Sequence, residues 1–147
     1  MLKILIKSFS ELTKNELYEI LQLRSEVFVV EQNCVYQDID FKDQKAWHVI
    51  GIKNDKVVAY TRIFKPGDYF LEASIGRVVV KKNERQFGFG HKITVASIKA
   101  IETIFKETTI KISAQTYLIK FYNSHGFQQT GKEYLEDDIP HIAMIKK

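Results

Sequence analysis

The sequence contains one cysteine, Cys34, among 147 residues. A lone thiol excludes an internal disulfide framework and a cysteine-built metal site. No His-x-x-x-His or Cys-x-x-Cys spacing occurs, so nothing supports a metal. No apolar run approaches the roughly 20 residues that a membrane-spanning helix needs. The opening residues, Met1-Leu2-Lys3-Ile4-Leu5-Ile6-Lys7, alternate as a strand does, and no signal-peptide cleavage pattern follows them. A cytoplasmic protein without a membrane partner is the natural expectation. Lys/Arg stripes with interleaved aromatics are also missing, which argues against nucleic acid. There is no Gly-x-x-x-x-Gly-Lys-Ser/Thr cradle for a nucleoside triphosphate and no Gly-x-Ser-x-Gly elbow.

What the chain does have is the makings of one ordinary domain, residues 1–147, with 45% apolar residues, enough for a real core. The formal net charge of +4 suits an anionic cofactor or substrate. Residues 2–7 read as a first strand. Thr13 and Glu16 form a candidate capping box. Leu17, Ile20, Leu21, Arg24 and Phe28 then recur at helical spacing to about Val30. Arg24 sits on that apolar stripe, either with its head in water at the core's edge or pointing into a cleft. Glu31 to Lys45 has no period and is longer than most connections. Trp47–Ile52 and Val57–Phe64 read as strands joined by a turn at Asn54-Asp55-Lys56. Ile75–Val80 is a further strand, with Gly76 marking a bulge or a close backbone contact.

The central feature follows: Val78-Val79-Val80, a polar turn, then Arg85-Gln86-Phe87-Gly88-Phe89-Gly90 opening a second helix to Phe105. N–H groups at a helix start lack intrahelical partners and bind anions, and glycine lets the backbone approach closely. This predicts a phosphate cradle between strand and helix. A dinucleotide fold would place the glycines after the first strand of a parallel unit; here they follow a meander. Thr109–Ala114 reads as a strand parallel to the one before the helix. Tyr117–Ser124 is a short helix ended at His125-Gly126. Phe127–Thr130 and His141–Lys146 close the chain as strands, with Gly131–Pro140 as the loop between them. The sum is a mixed α/β (α+β) fold: a mostly antiparallel sheet of about six or seven strands flanked by about four helices.

These residues carry a resemblance to the GCN5-related N-acetyltransferase (GNAT) superfamily. Its acetyl-coenzyme A motif, Gln/Arg-x-x-Gly-x-Gly/Ala, is matched by Arg85 to Gly90. Its second motif is matched by Tyr117-Leu118-Ile119-Lys120-Phe121-Tyr122-Asn123-Ser124-His125-Gly126-Phe127. Within the superfamily the chain is similar to the ElaA family, through Leu23 to Cys34, Tyr36-Gln37-Asp38-Ile39-Asp40, Ile75-Gly76-Arg77-Val78 and Asp138-Ile139-Pro140-His141-Ile142. The resemblance implies a sheet whose fourth and fifth strands splay apart around a pantetheine arm. It implies that the backbone of Val78, Val79 and Val80 pairs with that arm. The N–H groups of Arg85, Gln86, Phe87, Gly88, Phe89 and Gly90 would hold the pyrophosphate. Phe87 and Phe89 would either cover the cofactor or pack elsewhere. A homodimer is common in the superfamily.

The implied reaction is direct acetyl transfer from acetyl-coenzyme A to an amine. Tyr122 aligns with the superfamily's frequent general-acid tyrosine. The base stays open among Glu31, His48, Glu72 and His141; His141, at a strand start, and Glu31 are carried forward as catalytic candidates. Asp38, Asp40 and the run Glu136-Asp137-Asp138 are candidates for attracting a cationic small-molecule or peptide amine, with Arg24, His48 and Asp138 beside them as substrate-binding candidates. A non-catalytic acyl-coenzyme A sensor is the competing class, and an acyl-homoserine-lactone synthase is a further alternative of related fold.

Overall fold

A computed structural model describes residues 1–147. Seven strands form one sheet: β1 (Lys3–Ser8), β2 (Trp47–Lys53), β3 (Lys56–Phe64), β4 (Ala73–Val80), β5 (Ile110–Gln115), β6 (Gln128–Glu136) and β7 (Ile139–Lys146), in the order β1-β2-β3-β4-β5-β7-β6. All neighbours are antiparallel except β4 and β5. A parallel pair needs a crossover, and α2 (Phe89–Ala100) supplies it.

The helices cover opposite faces because strand residues alternate between them. On one face α1 (Lys14–Arg24) buries Ile20 and Leu23 against Ile50, Tyr60 and Val79. The Thr13–Glu16 capping box starts it, with both reciprocal bonds formed. After Arg24 it widens into a π-helical turn, Ser25–Glu31, which keeps Val27 and Phe28 on the buried stripe. On the other face α2 lays Phe89, Ile93 and Ala100 against Val49, Ala59 and Ile63. Asn54 and Asp55 both take positive φ, 51° and 63°, as a two-residue hairpin turn between right-twisted strands requires.

β6 differs from the expectation. It runs to Glu136, so most of the segment expected as a loop from Gly131 to Pro140 is strand, and only Asp137 and Asp138 turn the chain. Eight of its nine residues are exposed. An edge strand with no buried face leaves no apolar alternation to read.

Two features of β4 shape the site. Its pairing with β5 stops after Ala73↔Ile110 and Ser74↔Lys111, and beyond that the strands diverge. Opposite β3, Arg62 faces Gly76 and Tyr60 faces Val79, so Thr61 meets two residues, Arg77 and Val78. This is the expected bulge, but its left-handed residue is Arg77, φ 50°, rather than Gly76.

The side chain of Arg77 explains that choice. Arg77 lies 2.7 Å from Asp38 through Nε and 3.5 Å from Asp40 through Nη2. The same carboxylates, with Asp43, bind two further guanidiniums. Arg24 pairs with Asp38 at 2.9 Å and Asp43 at 2.8 Å, and Arg62 pairs with Asp40 at 2.6 Å and Asp43 at 2.9 Å. Arg24 is 0% exposed, which excludes both a head in water and a head in a cleft. The loop of 32–45 is thus fastened to the sheet by its own carboxylates. Burial opposes charge on Asp43, but Arg24 and Arg62 outweigh it and hold the carboxyl below its usual range.

Breaking such a cluster leaves buried charge uncompensated. Arg24→Met should lower stability by about 3–5 kcal/mol, seen as a Tm drop of roughly 10 °C in thermal unfolding. A carboxyl depressed in the folded state stabilises the fold above its unfolded value, ordinarily 3.8, and that contribution disappears as pH falls through the folded value. Denaturant titrations should therefore show stability falling below about pH 4, with a shallower fall in Asp43→Asn. An unchanged slope in that variant would exclude Asp43 as a source.

Candidate active site

The divergence of β4 from β5 opens a cleft. Its walls include Val78 on β4, Ser113 on β5, Tyr122 on α3 (Ile119–Asn123) and Glu136 and His141 at the β6–β7 hairpin. It brings together three of the residues singled out from sequence, Val78, Tyr122 and His141.

Tyr122 is 6% exposed, its ring edge-on to Phe121 and Phe127. Its hydroxyl has no hydrogen-bond partner in the protein, yet it is not sealed off. Burial pushes the phenol up, so the group stays protonated at neutral pH. The cleft thus contains a neutral O–H donor with no internal acceptor.

His141 starts the paired part of β7 opposite Gln115. Its Nδ1 donates to the Ile139 carbonyl at 2.7 Å, so Nδ1 carries a proton and, in the neutral ring, Nε2 holds the lone pair. Glu136 Oε2 lies 3.6 Å from Nε2, and Tyr134 stacks on the ring at 6.2 Å. Ser113 Oγ donates to Glu136 Oε1 at 3.2 Å and also bonds the Tyr134 hydroxyl. Ser113, Tyr134 and Glu136 were not singled out individually; only the acidic run gave a signal for Glu136.

The cofactor-side candidates lie at the other end of β4. A 3-10 turn, Lys82–Phe87, leads to Gly88 in the left-handed region, φ 73°, and α2 starts at Phe89. No side chain caps this helix start. A Cβ on Gly88 would meet no atom within 4 Å, so its surface is open, while one on Gly90 would touch Phe121 at 3.5 Å. Unclaimed N–H groups beside open space are what an anionic group needs. The Phe89 ring, by contrast, is buried in the core, and Phe87 lies half exposed under the Lys53 ammonium at 4.0 Å. Gln86 is exposed. Val79 is buried under α1, and Val78 and Val80 pack on the larger core, so only their backbone edge faces the splay.

The remaining candidates stand outside the cleft wall. Glu31 makes a two-pronged ion pair with Arg85, at 2.6 and 2.9 Å, and Arg85 Nε donates to the Val80 carbonyl. Arg24, Asp38 and Asp40 belong to the charge cluster. His48 is 0% exposed; Nε2 donates to the Asp43 carbonyl at 3.0 Å and Nδ1 accepts from the Tyr60 hydroxyl at 2.6 Å. Burial pushes its ring pKa down, and with both nitrogens engaged it has nothing to offer a substrate. Asp138 sits at the hairpin tip with φ 62°, exposed. His125 follows the end of the short helix, as the sequence indicates. Burial, then neighbouring His91 at 2.9 Å, pushes its ring pKa down.

A sheet opened between a parallel strand pair, with an uncapped helix start beside it, defines an acyltransferase architecture. The acetyltransferase (GNAT) domain model matches residues 10–147, and the chain belongs to that family. It is similar to the ElaA protein of Escherichia coli, 41% identical over 140 residues covering 94% of this chain and 92% of that one. The crystal structure of Escherichia coli ElaA superposes with a TM-score of 0.93 at 39% identity over 100% of both chains. An acyl-CoA N-acyltransferase from Pseudomonas aeruginosa gives 0.95 at 38% identity, again over 100% of both. No helix is long and apolar enough to cross a membrane.

The Glu31–Arg85 pair is partly exposed, at 27% and 42% of the side chains, so salt and side-chain entropy discount it. Glu31→Gln should change unfolding free energy by less than about 1 kcal/mol. It should also leave turnover within about threefold, since the carboxylate lies outside the cleft. A hundredfold loss of kcat would restore Glu31 as the base.

Proposed function

We propose that the protein is an N-acetyltransferase that moves the acetyl group of acetyl-coenzyme A to a primary amine by direct attack. The observation that carries this is the placement of Tyr122 and His141. A protonated, unpartnered phenol and an imidazole with a free Nε2 line one cleft, at the point where β4 separates from β5.

The residues present fit the donor. The edge of Val78 to Val80 that β5 leaves unpaired would hold the pantetheine arm as an added strand once Arg85 Nε releases the Val80 carbonyl, and the N–H groups from Arg85 to Gly90 would take the pyrophosphate. Gly88 is suited because its backbone conformation and open surface admit a close approach. Bound acetyl-coenzyme A supplies an electrophilic thioester carbonyl and a thiol leaving group.

The chain supplies the proton handling. His141 Nε2 takes a proton from the ammonium form of the acceptor, which frees the nitrogen lone pair for attack. A backbone N–H near Val78 meets the charge that develops on the carbonyl oxygen. Tyr122 Oη donates to the departing sulfur, and water returns the second nitrogen proton to the phenolate. Ser113 and Glu136 line the same cleft as Tyr122, and such polar lining favours an enzyme over a non-catalytic sensor.

Tyr122→Phe should lower kcat by about a hundredfold or more, with the acetyl-coenzyme A Kd unchanged within about twofold, in thiol-release assays with calorimetry alongside. A variant as fast as wild type would end the assignment of Tyr122 as acid. Gly88→Ala should weaken coenzyme A binding by about tenfold and cost about 1–2 kcal/mol of stability, because alanine resists the left-handed conformation. Undiminished affinity would move the phosphate site elsewhere.

A further inference from the structure

The carboxylate of Glu136 is held in a specific way. Ser113 Oγ has a single proton. Given to Glu136 Oε1, it leaves the Ser113 oxygen to accept from the Tyr134 hydroxyl. The chain Tyr134 O–H to Ser113 O–H to Glu136 Oε1 is therefore directional, and each bond polarises the next. It uses one carboxylate oxygen and leaves the other, Oε2, facing His141.

The gap between Oε2 and His141 Nε2 is 3.6 Å, too long for a hydrogen bond. Nδ1 donates to the Ile139 carbonyl, so in the neutral ring the gap lies between two acceptors, a carboxylate oxygen and a ring lone pair. Two acceptors facing each other without a shared donor call for one from outside. A nitrogen about 2.9 Å from each closes a triangle on that 3.6 Å side with ordinary N–H···O and N–H···N lengths. A primary ammonium fits: it offers three donors and a positive charge, and no acceptor. A carboxylate or phosphate would meet only repulsion there.

Neighbouring groups keep the pair open to the cleft. The Glu136 side chain is 44% exposed and that of His141 is 8% exposed, so the carboxylate is reached first and the ring lies deeper. Cys34 Sγ approaches the Asp137 carbonyl at 3.4 Å, which ties the hairpin tip to the loop after α1. Tyr69 lines the same cleft, and burial and then the charge of Glu136 push its phenol up. Asp138, at the exposed tip, does not line the cleft.

We propose that Glu136 is the specificity-determining residue for the acceptor: it receives the amine as a primary ammonium and steers it onto His141 Nε2, with Ser113 and Tyr134 as positioning residues that hold its carboxylate. This rests on the acetyl-transfer reading above. An N–H proton passes from the ammonium to Nε2, and the electron pair of that bond stays on nitrogen as the nucleophile. The imidazolium so formed lies beside Oε2, which balances its charge while attack proceeds.

The test is a titration that needs no turnover. n-Butylammonium chloride is added to the full-length protein with coenzyme A present, and separately without it, while the His141 ring signals are followed by NMR. 1-Butanol serves as the uncharged control. Wild type should bind the ammonium about ten- to a hundredfold tighter than Glu136→Gln, with Glu136→Asp recovering part of the difference and Ser113→Ala losing less. 1-Butanol should not distinguish the variants. In turnover, Glu136→Gln should raise KM for a protonated alkylamine by a similar factor, yet change KM for an aniline, neutral at the assay pH, by less than about twofold. Equal ammonium affinity in wild type and Glu136→Gln overturns the proposal, as does a loss for butanol that matches the loss for butylammonium. Failure of coenzyme A to bind would overturn the acetyl-transfer reading, and the ammonium titration without coenzyme A would still decide the role of Glu136.

Discussion

Three guanidiniums and three carboxylates, buried or half-buried where β3 and β4 meet the loop after α1, fix the geometry on which the cleft depends. Arg24 comes from the helix, Arg62 from β3 and Arg77 from β4, while Asp38, Asp40 and Asp43 all come from one loop. The charges cancel within the cluster. Desolvation makes such clusters poor stabilisers compared with apolar packing of the same volume, but removal of one member is expensive. Their use is to fix one arrangement out of several. Here that arrangement includes Arg77 in a left-handed conformation that costs an ordinary residue about 1–2 kcal/mol. With Asp38 and Asp40 in reach, Arg77 gains ion pairs there that a glycine could not make. The bulge therefore falls on the arginine and not on the adjacent Gly76.

The bulge matters because it increases twist and bends its strand. β4 leaves β5 after two residue pairs and keeps its bond with β3. An edge within a sheet is normally a liability, to be covered or paired. In this protein it is the opening that a strand-like ligand would fill, and α2 starts at its far end with unclaimed N–H groups. The same divergence separates the cleft's walls and admits Tyr122 from one side and His141 from the other.

Much of this was legible in the sequence, and the reasons differ by region. The sheet from β1 to β5 shows in its alternation, α1 in its capping box and stripe, and the family in Arg85 to Gly90 together with Tyr117 to Phe127. Local patterns carry these, and the comparisons bear out the family. The second half of β6, from Gly131 to Glu136, was expected as loop because an exposed edge strand has no pattern. Arg24 was misjudged because its partners lie 14 and 19 residues away, in a loop whose carboxylates look like solvated surface. His48 was overvalued for a related reason: a histidine in a strand looks the same whether its nitrogens are free or engaged, and only Tyr60 and the Asp43 carbonyl show that both are engaged.

On the proposed reading, the two halves of the site divide along the same line. The half facing the donor is made of backbone: a strand edge, a glycine in a special conformation, a helix start. Backbone geometry needs particular residue types at fixed spacing, so it leaves a motif. The half facing the acceptor is made of side chains from β5, β6 and β7, brought together by a hairpin and a strand pairing. Ser113, Tyr134, Glu136 and His141 meet through strand pairing and not through a fixed sequence spacing. A fold with this division can keep one donor while its acceptor varies. On the proposed reading the carboxylate and imidazole at the β6–β7 hairpin, rather than the glycine motif, are the part of this chain that would distinguish its acceptor chemistry.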